Sequence, residues 1–222
     1  MYSLSIIILT LNTMFAVTTK LEENSNYNHL MEYSRYKKIP KIIEESALIA
    51  LSYYPELKDT RIDFVFKKNI KQSVMQAQPK FDVLLNGKGN RAYQINISSL
   101  FKLNHAAIPI HQLPKNIMIG WIGHELGHIM DYESRGLIGM LRFGFGYIFS
   151  DKYIKKAEQK ADTYAVNHGL GFYIIETKRF ILDHTDLPEV YKEKISRLYL
   201  SPDEIVEQVR KLEEQRAAKI EE

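Results

Sequence analysis

Between Pro40 and Pro55, Ile42, Ile43, Ala47, Ala50, Leu51 and Tyr54 recur at helical spacing, which predicts an amphipathic helix with proline in its first turn, ending before Pro55. The period then falls to two. Arg61-Ile62-Asp63-Phe64-Val65-Phe66-Lys67 alternates like a strand with one buried face, and the segments 81–86 and 91–97, joined by Asn86-Gly87-Lys88-Gly89-Asn90, predict a hairpin. From Ile117 to Gly123 every residue is apolar or small, so the helix predicted over 114–132 is apolar nearly all round and belongs inside the protein. Further helices are predicted over about 152–168 and over 186–200. Ser201-Pro202-Asp203-Glu204 is a capping box with proline at the first helical position, and it opens a charged final helix over 201–222. The pattern as a whole predicts an α+β fold, a small twisted β-sheet packed on one long buried helix with a mainly helical C-terminal half.

The buried helix carries His124-Glu125-Leu126-Gly127-His128. Residues i and i+4 return to nearly the same helical face, so the two imidazoles can converge on one ion, and Glu125 can reach a water bound to it. Zinc lowers the pKa of such a water to around 7, and the carboxylate takes its proton as hydroxide attacks a carbonyl. With seven histidines in 222 residues, roughly one or two chains per hundred would match HExxH by accident. The bland alternative is an amphipathic helix exposing two histidines. The apolar run ahead of His124 argues against it, because buried His and Glu side chains need partners, and a metal supplies them.

The third ligand must come from elsewhere. The extended pattern HExxHxxGxxH fails here, with Asp131 and Ser134 where Gly and His would stand, and a chain with no Cys cannot carry a zinc ribbon. Glu158-Gln159-Lys160-Ala161-Asp162 offers two carboxylates four positions apart on the next predicted helix. Glu158 is the expected third ligand. Asp162, one turn on along the same face, is placed to accept the other N–H of a ligand histidine. The competing reading of this pair is a solvated face, with Lys155, Lys156 and Lys160 as ion-pair partners.

HELGH followed by a helix bearing ExxAD resembles the gluzincin metallopeptidases, most closely the family of the CAAX prenyl protease and its small soluble relatives, the minigluzincins. The likeness covers roughly residues 60–175 and extends to a strand and glycine hairpin ahead of the zinc helix, here Phe81–Gly87, Lys88-Gly89-Asn90 and Arg91–Ile97. It implies a zincin-like fold and a zinc-dependent endopeptidase with one Zn2+ per chain. It also implies a peptide or protein substrate lying along an edge strand, with Phe81, Asp82, Val83, Leu84 and Leu85 as that strand. Lys80-Phe81-Asp82 stands where the family has Asn-Ala-Phe, and the membrane spans of the large members are missing. Gluzincins use a His, Tyr or Arg to stabilise the oxyanion, for which His168 or Tyr173 is the candidate here. A second likeness is to ImmA/IrrE-type intracellular proteases, similar in HELGH and the downstream Glu-x-x-Ala.

Composition changes the picture little. At 45% hydrophobic and 26% charged, the chain has an ordinary globular make-up and enough length for one core, so 19–200 reads as a single domain. A net charge of +3 with dispersed lysines gives no case for nucleic acid. Residues 1–18 carry no charge and hold an apolar stretch suited to a signal-peptide h-region, which predicts export; the alternatives are an N-terminal membrane anchor or a hydrophobic strand. The glycine-spaced apolar segment 136–149 is too short to span a bilayer and reads either as packing behind the zinc site or as a membrane-surface contact. The alternative function is a non-catalytic module in which the HELGH helix binds zinc structurally or merely packs.

Overall fold

The computed structural model describes residues 27–68, 70, 73–80, 91–136, 139, 150–184 and 186–220. The candidate signal peptide, the candidate edge strand 81–85 and nearly all of 136–149 lie outside the described residues. No helix among the described residues is long and apolar enough to cross a membrane.

The predicted first helix forms as a 3-10 turn, Lys41–Ile43, running into α1 (Glu44–Ser52). It stops where expected: Tyr54, held at φ −120 and ψ 71 by the following Pro55, is outside the helical region. β2 (Arg61–Lys67) matches its alternation, with Ile62 and Phe64 buried and both ends exposed. Lys37 and Lys38 form β1 beside it. With β3 (Met75–Pro79) and β4 (Ala92–Ser98) they make a mixed sheet in the order β1-β2-β4-β3. β1, β2 and β4 run parallel, and β3 is antiparallel to β4, with Met75 opposite Ile97 and Pro79 opposite Tyr93. Among the described residues β1 and β3 are therefore the edge strands of this sheet, and Pro79 at the end of β3 costs no ladder bond. A short hairpin of β5 (Leu100–Lys102) and β6 (Ala107–Pro109) leads to the long helix.

That helix, α2 (Lys115–Ser134), begins just after Pro114 and is buried without interruption from Ile117 to Ile129. Its apolar surface is covered by β3, α1, α3 (Asp151–Asn167) and α4 (Gly171–Asp183). α3 is capped by Ser150, whose Oγ accepts from Tyr153 N. One stripe of α3, comprising Ala157, Glu158, Ala161, Asp162, Ala165 and Val166, is buried, while Lys155, Lys156 and Lys160 are exposed. The two acids thus lie in the apolar stripe, and the solvated-face reading fails. α4 has no counterpart in the predicted elements. α5 (Glu189–Leu198) lies within the predicted helix 186–200, and α6 (Pro202–Ile220) opens on the expected reciprocal cap: Ser201 N donates to Glu204 Oε2 (2.7 Å) and Glu204 N to Ser201 Oγ (3.2 Å).

Close contact between α2 and α3 depends on Gly127, since a Cβ there would overlap the Ala161 carbonyl. Ala161 sits between Glu158 and Asp162, so the spacing of the two helices sets where both carboxylates arrive. Gly127→Ala is expected to cost about 1–3 kcal/mol by overpacking and to weaken metal retention, read by urea unfolding and by metal content after dialysis. Wild-type values for both would remove this role from the glycine.

Candidate metal centre

α2 presents His124 and His128 one turn apart with ring centroids 4.8 Å apart and planes at 90°. α3 brings in Glu158, whose Oε2 lies 3.1 Å from His124 Nε2 and 3.3 Å from His128 Nε2. All three side chains are buried, and their ligand atoms lie within 4.8 Å of one another. Ligands about 2.0–2.2 Å from a tetrahedral centre stand about 3.4 Å from each other, so the observed separations suit one shared ion. The group could hold a metal.

Asp162 completes the arrangement from behind. Its Oδ1 is 2.8 Å from His124 Nδ1, which leaves Nε2 directed at the triad. Its Oδ2 accepts from Leu200 N at 3.1 Å and from Lys178 Nζ at 3.0 Å, and that ammonium lies 3.9 Å from the centre of the Tyr199 ring. Lys178, itself buried, was invisible to the motif reading. His128 lacks an equivalent brace: its Nδ1 is buried with no hydrogen-bond partner among the described residues, and its ring stacks on Tyr132 at 6.1 Å.

Charge in the centre is arranged to favour a cation. Burial disfavours a charged His124, yet Asp162 and Glu158 outweigh it and raise the imidazole to about 10. Burial likewise opposes ionisation of Glu158, but the His128 and His124 rings hold its carboxyl well below the usual carboxylate range. Asp162 is lowered too, because Lys178 and His124 outweigh its burial. Two carboxylates kept ionised against two imidazoles draw in positive charge, and a divalent ion can supply it in place of a proton.

Glu125 belongs to a different environment. It is 6% exposed, and its Oε2 accepts the Ala77 N–H of β3 at 2.6 Å. Burial pushes its carboxyl up, more than the two histidines and the Ala77 amide pull it down. A buried acid of raised pKa next to a group that could hold a metal is equipped to take and return a proton.

Neither candidate oxyanion donor is brought to this centre. His168 lies ten positions beyond Glu158, about 15 Å along the helix direction. There its ring stacks on Tyr54 at 4.5 Å, with Nδ1 2.7 Å from Tyr164 O and Nε2 3.3 Å from Glu56 Oε1. Tyr173 packs against Tyr53 and Phe172, with centroids at 6.2 and 5.4 Å. Neither lines the cavity that opens beside His124 and Glu125.

Comparison of the chain with protein-family models, with curated proteins and with solved structures finds no match. The functional reading therefore rests on these side chains and on how they are held. Asp162→Asn is expected to weaken metal affinity by about 10- to 100-fold, the usual cost of losing a carboxylate that orients a ligand histidine. Competition titration against a chromogenic chelator measures it, and unchanged affinity would show that Asp162 does not position His124.

Proposed function

We propose that the protein is a zinc-dependent endopeptidase with a zincin-like arrangement of sheet and helices. The observation that carries this reading is the convergence of His124 Nε2, His128 Nε2 and Glu158 Oε2 on one point with the Glu125 carboxyl alongside. Two imidazoles and a carboxylate, with no thiolate available, form a donor set suited to zinc, and three protein ligands rather than four leave a position for water or substrate. When bound, zinc supplies Lewis-acid polarisation of a carbonyl and an acidified water.

The protein's own groups do the rest. Glu125 accepts the proton of the attacking water and delivers it to the departing amine, a task that its raised pKa favours. Asp162 keeps His124 in the tautomer that offers Nε2. β3 is tied to α2 at Ala77, whose N–H is accepted by Glu125 and whose carbonyl accepts from Tyr132, so this strand holds the proton-transferring carboxyl in place. A purely structural metal site has no use for a further buried acid at position 125, outside the ligand group, which argues against the non-catalytic module. Export directed by residues 1–18 belongs to the same proposal.

The test is metal analysis of the purified protein together with cleavage of a mixed-sequence peptide library. Near-stoichiometric zinc is expected, with cleavage lost to a chelator and regained on zinc addition. Zinc without cleavage, with or without the N-terminal segment, would favour the binding module, and absence of both would overturn the proposal.

A further inference from the structure

The two candidate ligand histidines are held by different means. His124 donates its Nδ1–H to Asp162 at 2.8 Å, and that bond sets both its tautomer and its ring plane. His128 has no equivalent, since its Nδ1 is buried without a hydrogen-bond partner among the described residues. Its ring plane is left to packing. Tyr132, one turn further along the same face of α2, lies nearly parallel to the imidazole, with centroids 6.1 Å apart and planes at 18°. This is an offset stack, a favoured arrangement for two rings. Tyr132 is itself firmly placed, being 5% exposed and stacked on Tyr93 of β4 at 6.2 Å and 21°, while Tyr93 is anchored through its hydroxyl, which donates to Glu133 Oε1 at 2.8 Å. A run of near-parallel rings thus leads from the sheet to the metal group. The Tyr132 hydroxyl donates to the Ala77 carbonyl at 3.3 Å, which is long for such a bond, so burial and stacking hold the ring more than the hydroxyl does.

We propose that Tyr132 is a positioning residue of the metal centre, its ring face setting the plane of His128 and so the direction in which Nε2 offers its lone pair; this rests on the metal-binding part of the function proposed above. An imidazole binds a metal along the in-plane lone pair of its nitrogen. Rotation about Cβ–Cγ would swing His128 Nε2 away from the point it shares with His124 Nε2 and Glu158 Oε2. A flat neighbour blocks that rotation where no hydrogen bond does.

The experiment titrates wild type, Tyr132→Leu, Tyr132→Phe and Tyr93→Leu with Co2+ and with Zn2+. The readouts are Kd by chelator competition, the visible bands of bound Co2+, whose positions and intensities follow ligand geometry, and the urea midpoint of the metal-free protein. Leucine removes the ring face, phenylalanine keeps it without the hydroxyl, and Tyr93→Leu loosens the same core one ring further from the metal. Expected for Tyr132→Leu are a metal affinity lower by about 10- to 100-fold and altered Co2+ bands, both restored in Tyr132→Phe. Tyr93→Leu is expected to lose comparable stability while bands and affinity stay near wild type. Tyr132→Met, which fills the space with a flexible chain lacking a planar face, replaces the leucine variant if that one does not fold. Wild-type bands and affinity in the variant without the ring overturn the assignment. So does an equal loss in Tyr93→Leu, which marks general loosening, or in Tyr132→Phe, which gives the role to the hydroxyl. Each of these results leaves the metal centre in place, whereas a wild type that binds neither ion removes the metal reading and this inference together.

Discussion

Glu125→Gln is expected to lower peptide cleavage by about 10²- to 10⁴-fold while zinc content and thermal midpoint stay at wild-type values. The substitution is nearly isosteric, and the amide oxygen can still accept the Ala77 N–H that now bonds Oε2 at 2.6 Å. Glu125 lies outside the group His124, His128 and Glu158, so no ligand is lost. Burial has already raised its pKa, so replacing it with a neutral side chain removes no strongly stabilised charge, and folding energy should hardly change. What disappears is the group that moves the proton. Single-turnover cleavage, metal analysis and thermal melts on the same preparations separate these effects. Equal loss of zinc and activity would mean that Glu125 acts as a ligand, and retention of activity would mean that it is not the base.

The centre was legible in the sequence where its chemistry is local. His124 and His128 meet because one helix spaces them, and Glu158 and Asp162 share a face for the same reason. The lysines around those acids pointed towards solvent, but Ala157, Ala161 and Ala165 on the same stripe mark a buried face that fits tightly against another helix. β3 was hidden because Met75-Gln76-Ala77-Gln78-Pro79 is short and has no β-branched residue, so pairing with β4 and the Glu125 bond define it rather than propensity. α4 was hidden by punctuation. Gly169, at φ +91, ends α3 in the left-handed region, and Gly169-Leu170-Gly171 then reads as a loop although the next helix starts at its last residue. Once that helix is known, Ile174, Thr177, Lys178 and Ile181 trace its buried face, and a lysine in such a stripe is the signal that a buried acid waits opposite.

Lys178→Met is expected to destabilise the metal-free protein by about 3–5 kcal/mol, the usual cost of breaking a buried ion pair by removing one partner. Asp162 has no exposed surface, and its charge is held by Lys178 at 3.0 Å, by His124 and by the Leu200 N–H. Methionine fills much of the lysine's volume and can still pack on Tyr199, so the loss isolates the charge rather than a cavity. Removing both charges should recover much of it: Lys178→Met with Asp162→Asn is expected to be more stable than Lys178→Met alone, because no unpaired carboxylate is left. The double variant should nonetheless keep the weakened metal affinity of Asp162→Asn, since nothing then orients His124. Urea unfolding in the presence of chelator measures the first effect without the stabilisation that bound metal contributes, and chelator competition measures the second. If Lys178→Met alone is as stable as wild type, Asp162 does not depend on this ammonium for its charge, and the carboxylate must be held by the His124 and Leu200 contacts alone.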